Sequence, residues 1–164
     1  MINSLKINEI QDSPVHKSLF IRPFSNSDLP VILHIERITQ LTPWSERDFK
    51  ESLQHGICRV LLKNNEIIGF IVFSLQTSEC EILNLCIKPE HQNQGYGFKL
   101  LQQALQHAKC HNTDIVFLEV RCSNKAAINL YHKAGFNELD IKKAYYPFKN
   151  KHEDAIIFAL DLTA

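Results

Sequence analysis

The sequence predicts a single α/β domain, a mixed sheet of about seven strands with about four helices on both faces. Three observations lead there. The 164 residues fit one core, long enough to bury roughly two-thirds of the surface its unfolded form exposes. Apolar residues alternate between strand and helix periodicity in the order strand, two helices, three strands, helix, strand, helix, two strands. Asp114 to Val120 is a nearly continuous apolar run, the pattern of a central strand covered on both faces.

Residues 1–17 are polar, mix charges and contain Pro14, so they read as a mobile N-terminal arm or an extra edge segment ahead of a domain spanning 18–164. Ser18 to Pro23 is the first expected strand. Ser25-Asn26-Ser27-Asp28 supplies cap candidates for a short helix that buries Leu29, Ile32, Leu33 and Ile35. A second helix follows Pro43-Trp44, with Ser45 as cap, Asp48 three residues on and Gly56 at its end. Strands at about 58–63 and 67–75 flank the polar turn Asn64-Asn65-Glu66, and a fourth runs from Glu81 to Lys88 and stops at Pro89.

From Gly95 to Cys110, Leu100, Leu101, Ala104, Leu105 and Ala108 recur at helical spacing, ahead of the central strand. The last helix, about Lys125 to Ala134, buries Ala126, Ala127, Leu130 and Tyr131, and Gly135 stands where a C-terminal cap needs positive φ. Strands 137–146 and 152–162, joined by loop 147–151, complete the order. No internal repeat, linker or low-complexity tract interrupts it.

Eighteen Lys and Arg balance eighteen Asp and Glu, which argues against the broad positive field of a nucleic-acid or anionic-membrane binder. The five cysteines are odd in number, scattered and without a CxxC pair, and the first residues lack the apolar core of a signal peptide. Reduced thiols in a cytoplasm are expected. Charged or amide residues interrupt every apolar run before the roughly 20 residues a membrane span needs, so a soluble protein is expected.

Chemistry concentrates between Ile82 and Phe136. Gln92-Asn93-Gln94-Gly95-Tyr96-Gly97 lies between a strand and a helix, where free N–H groups and the helix dipole suit a pyrophosphate. The same glycines also serve a plain tight bend. Position 100 is Leu, so GxGxxG fails, and no Gly-Lys-Ser/Thr follows for a P-loop. Asn84 interrupts an apolar strand and marks either a bulge that frees backbone groups or an edge-facing residue. Glu119 ends the Ile-Val-Phe-Leu run, where a carboxylate is costly unless paired or functional. It is either the ion-pair partner of Arg121, on the same strand face, or a general base raised in pKa by burial.

Asn124 either caps the following helix or, if Ser123 caps, is free for an amide-bearing ligand. Tyr131 lies two helical turns beyond it and reads as either core or catalyst. His107, Cys110 and His111 share a helix end without an HExxH glutamate or a fourth ligand, so no metal is expected.

Asn84-Leu85-Cys86-Ile87-Lys88-Pro89, Gln92-x-x-Gly95-x-Gly97, Leu118-Glu119-Val120-Arg121, Ser123-Asn124, Leu130-Tyr131 and Gly135-Phe136 resemble the GCN5-related N-acetyltransferases (GNAT). Pro43-Trp44-Ser45, Tyr145-Tyr146-Pro147 and Glu153-Asp154-Ala155-Ile156-Ile157 are similar to the RimI-type subgroup, the bacterial ribosomal-protein alanine N-acetyltransferases, so the resemblance spans about 19–162. It implies a GNAT fold, a mostly antiparallel sheet splayed between strands 4 and 5, with acetyl-CoA in the opening. Leu85, Cys86 and Ile87 then bind the pantetheine arm and thioester. Asn93, Gln94, Gly95, Tyr96, Gly97 and Phe98 cradle the pyrophosphate, and Asn124 holds the arm from the other side. Glu119 is the implied general base and Tyr131 the implied general acid.

The implied reaction is acetylation of a protein N-terminal amine, the alanine of the eighteenth small-subunit ribosomal protein, by direct attack in a ternary complex. The alternatives are lysine or small-amine acceptors, or a CoA-binding regulatory module without turnover. A ribosomal-protein partner is implied, with no nucleic acid, membrane or metal, and a monomer is the favoured state. One departure stands out, because the family's pyrophosphate turn often carries arginines where Asn93, Gln94 and Phe98 are uncharged.

Overall fold

A computed structural model describes residues 18–163; the N-terminal arm expected over 1–17 lies outside the described residues. Seven strands form one sheet in the order β1-β2-β3-β4-β5-β7-β6. They are β1 Leu19–Pro23, β2 Gly56–Lys63, β3 Glu66–Gln76, β4 Glu79–Ile87, β5 Ile115–Arg121, β6 Asn137–Phe148 and β7 Lys151–Asp161. The helices are α1 Leu29–Thr39, α2 Glu46–His55, α3 Tyr96–Cys110 and α4 Lys125–Lys133. Every neighbouring pair is antiparallel except β4–β5, whose crossover carries α3.

The helices divide between the faces. Leu100, Leu101 and Ala104 of α3 and Ile128 and Tyr131 of α4 pack with Val116, Leu118 and Val120 on one side. Ile32 and Ile35 of α1 and Phe49 of α2 pack with Val60, Phe70 and Val72 on the other. Leu61 and its neighbours Val60 and Leu62 serve opposite cores, as strand alternation requires.

Local signals formed the expected elements. The Asp48 N–H donates to Ser45 Oγ at 3.2 Å and the Ser45 N–H to Asp48 Oδ2 at 2.7 Å, which closes the capping box at α2. Gly135 has φ +92°, the left-handed value a helix stop needs. Two differences have clear causes. The β2–β3 turn is only Asn64-Asn65, with φ of 52° and 66°, the two-residue hairpin whose twist matches the strands, so Glu66 already belongs to β3. β6 and β7 extend into the expected loop and leave only Lys149-Asn150 between them.

A bulge in β4 positions the site. Val72 pairs with Asn84 and Phe73 with Ile82, so Leu83 is the extra residue. Before it Cys80 and Ile82 face α3; after it Asn84 and Cys86 turn toward α1. Pairing of β4 with β5 ends at Ile82–Leu118, just before the bulge. Beyond that point the two strands separate. Gly69 faces this stretch of β4: a Cβ there would lie 2.6 Å from the Cys86 carbonyl oxygen and against the Ile87 side chain.

Candidate active site

The splay gathers most of the residues singled out from sequence. Leu85, Cys86 and Ile87 form the part of β4 that has left β5. Glu119 is the first β5 residue past the last β4–β5 pair, on the face opposite Leu118 and hence opposite α3 and α4. Tyr131 comes from the other face, on α4, and is 6% exposed. Its hydroxyl makes no hydrogen bond among the described residues. Burial, with lesser contributions from Cys86 and Tyr146, pushes its pKa well above the ordinary 10, so the phenol stays protonated. Glu119 and Tyr131 thus stand on opposite faces of the sheet.

Glu119 does not pair with Arg121. Its carboxylate meets Lys142 of β6, and its side chain keeps 21% exposure. The hydrogen bond to Glu119 is the largest influence raising the Lys142 pKa, and likewise that of the Tyr145 phenol. Burial first, then the Glu119 charge, pushes Glu81 above its ordinary value, while burial lifts Tyr146 to about 12. Glu79, Glu81, Phe117, Glu119, Lys142 and Ile157 line a groove of about 260 Å³ on this face, which α1 and α2 leave uncovered. A larger cavity of about 850 Å³ lies between α2 and β2, lined by Phe24, Leu53 and Arg59, and holds none of these groups.

The glycine turn opens α3 as expected. Gly95 caps the helix with φ +82° and Asn93 precedes it at +58°. The first helical bond runs from the Lys99 N–H to the Gly95 carbonyl at 3.1 Å, so the N–H groups of Tyr96, Gly97 and Phe98 lie ahead of it, free of helical partners. Gln92 Nε2 donates to the Ile87 carbonyl at 2.9 Å and Gln94 Nε2 to that of Glu90 at 3.2 Å, which ties the turn to the end of β4. Charge missing from the turn arrives from elsewhere: Lys133 of α4 lies 5.2 Å from the Phe98 ring centre and Lys63 of β2 lies 5.3 Å from that of Tyr96. These uncharged amides at a positive helix end suit a phosphate ester.

Asn124 caps α4, its Oδ1 accepting from the Ala127 N–H at 3.2 Å. Ser123 is occupied otherwise, its N–H donating to Glu153 Oε1 at 2.6 Å. Asn84 is neither at an edge nor in the opening. Its Nδ2 donates to Glu36 Oε2 at 3.0 Å, the Cys86 thiol donates to the same oxygen at 3.3 Å, and the Trp44 N–H donates to Glu36 Oε1 at 2.8 Å. Glu36, 1% exposed, thus ties α1, the α1–α2 loop and the departing β4 together.

Sequence reasoning passed over Glu36, Lys142 and Lys133, and gave Tyr145 no role beyond the motif that it belongs to. A glutamate among Ile32, Leu33 and Ile35 on an amphipathic helix was a usable signal for the first; the others depend on strand register and helix placement.

The acetyltransferase (GNAT) family profile matches residues 21–136. The chain is 35% identical over 144 residues to the [ribosomal protein bS18]-alanine N-acetyltransferase of Escherichia coli K12, covering 87% of this chain and 97% of that protein. The crystal structure of the E. coli ribosomal-protein-S18-alanine N-acetyltransferase superposes with a TM-score of 0.83 at 34% identity, over 88% of this chain and 94% of that one. A GNAT family acetyltransferase from Elizabethkingia anophelis, solved with acetyl-CoA bound, superposes with a TM-score of 0.75 at 26% identity, over 88% and 98%. The splayed β4–β5 pair and the open amides of α3 thus sit in a chain that belongs to the acetyltransferase (GNAT) family.

Proposed function

We propose that this protein transfers the acetyl group of acetyl-CoA to the N-terminal α-amine of a protein, the alanine of ribosomal protein bS18. The observation that carries the reading is the splay with Glu119 on its open face and the protonated Tyr131 on the other. The pantetheine arm lies along Leu85, Cys86 and Ile87, the Asn124 Nδ2 meets it from α4, and the pyrophosphate rests on the amides from Asn93 to Phe98. The bS18-specific relatives, matched over nearly their whole length, favour an N-terminal alanine over lysine or a small amine. The site acts on a free protein end in the cytoplasm, as a monomer, without nucleic acid, membrane or metal.

An α-ammonium titrates near 8, so a carboxylate at neutral pH is base enough to deprotonate it through water. The neutral amine attacks the thioester carbonyl, and a backbone N–H near Cys86 holds the oxyanion. Collapse breaks the C–S bond, Tyr131 gives its proton to the departing sulfur, the attacking nitrogen gives up its second proton to solvent, and the products are the neutral acetylated N-terminus and CoA thiol. The proton taken by Glu119 passes to solvent, and solvent reprotonates Tyr131.

The test incubates the protein with acetyl-CoA and two peptides, one beginning with Ala and one with a blocked N-terminus and an internal Lys. Thiol release with the first alone is expected. Acetylation of the lysine peptide only would overturn the acceptor assignment, and no release with either would favour a binding module. Glu119→Gln and Tyr131→Phe should each lower the turnover rate by about 10²-fold or more while acetyl-CoA affinity is kept.

A further inference from the structure

The reaction assigns no task to Arg121, although it is 9% exposed and ends β5 two residues beyond Glu119. Its guanidinium is engaged on several sides. Nη2 donates to Thr42 Oγ1 at 2.7 Å and to the Pro147 carbonyl at 3.3 Å, and Nη1 donates to Glu153 Oε2 at 3.3 Å. Its Cζ lies 4.4 Å from the centre of the Tyr146 ring. Thr42 belongs to the α1–α2 loop, whereas Tyr146, Pro147 and Glu153 belong to the β6–β7 hairpin. These two segments come from opposite ends of the sheet order and stand on the open face beside Glu119.

We infer that Arg121 is a positioning residue that fastens the α1–α2 loop to the β6–β7 hairpin and so fixes the two walls between which the acceptor amine reaches Glu119. The inference rests on the acceptor reading of the open face. A planar fork with five donors can hold a hydroxyl, a carbonyl and a carboxylate while stacking on a ring; an ammonium cannot. A buried cation with these partners resists displacement, because moving it takes the guanidinium from Glu153 Oε2 and leaves that carboxylate held at Oε1 by the Ser123 N–H. The guanidinium itself touches no residue of β4, whose tie to the α1–α2 loop runs through Glu36, so losing the bridge falls first on the acceptor side.

Two variants test it. Thr42→Val keeps the shape and removes the oxygen on the loop side, and Arg121→Lys keeps the charge and removes the fork. Each should raise KM for the Ala peptide about fivefold or more, with KM for acetyl-CoA within twofold. Amide hydrogen exchange should quicken together in segments 41–45 and 147–153 but not in β2 or β3. If Arg121→Lys fails to fold, Thr42→Val decides alone. An unchanged peptide KM, an equal rise in acetyl-CoA KM, or faster exchange in the loop without the hairpin would overturn the bridge. If the unaltered protein acetylates no N-terminal peptide, the acceptor reading fails and the exchange data still judge the bridge.

Discussion

Removing the Glu36 carboxylate should cost more stability than most single substitutions, and the structure supports a magnitude. In Glu36→Ala the Trp44 N–H and Asn84 Nδ2 both lose their acceptor, and the weaker Cys86 thiol loses one as well. Each stranded amide donor costs ~1–3 kcal/mol, so the two together cost ~2–6 kcal/mol. Relief from burying a charge offsets part of this, which leaves about 3 kcal/mol. For a domain of this size that lowers Tm by roughly 6–12 °C. Glu36→Gln should lose about half as much, because its carbonyl still accepts one bond and an Asn84 flip can meet its amide. Urea unfolding followed by fluorescence is well suited to the measurement, since Trp44 is the single tryptophan and sits at the bond in question. KM for acetyl-CoA should rise with the instability, because Asn84 and Cys86 lie on the departing stretch of β4. A Glu36→Ala protein within ~0.5 kcal/mol of the original, or more stable than it, would refute the reasoning.

Gly69→Ala should destabilise by ~1–3 kcal/mol and raise KM for acetyl-CoA, since its methyl would press on the Cys86 carbonyl from 2.6 Å; unchanged unfolding and KM would remove that contact from the account. Lys133→Ala should raise KM for acetyl-CoA about two- to fivefold, the worth of a partly screened charge, and flatten its salt dependence. A salt profile identical to that of the unaltered protein would show that Lys133 does not reach the phosphates. The Arg22 hydrogen bonds, at 2.7 and 2.8 Å, hold Asp28 below its ordinary 3.8, so the folded state binds fewer protons than the unfolded one. That stability is complete above the unfolded value and is lost as pH falls through the folded one. Asp28→Asn should therefore be less stable at neutral pH and lose less on acidification below pH ~4, and parallel pH profiles for the two proteins would contradict this.

Much of this was readable from the chain because its causes are local. The Ser45–Asp48 box, the left-handed Gly95 and Gly135 and the order of the elements follow from residues within a turn of one another. The family motifs lie in the same short windows, so Glu119 and Tyr131 were singled out by spacing and resemblance. Alternation also put Glu119 and Arg121 on one strand face, as the structure has them. It does not say what stands opposite. Glu119 takes Lys142, 23 residues on and two strands away, through a β6 whose register shifts at two bulges. Arg121 instead reaches Thr42, 79 residues back.

The single extra residue at Leu83 is the sharpest case. It is the bulge that Asn84 marked in the sequence, and it makes Asn84 a partner of buried Glu36 by reversing which face the rest of β4 presents. By itself the sequence determined which segments are strands, where backbone amides are left open and which groups are candidates to move a proton. Only the tertiary structure decided their partners, because a buried charge is satisfied by whatever strand register and helix packing place within about 3 Å of it, and those depend on the whole sheet.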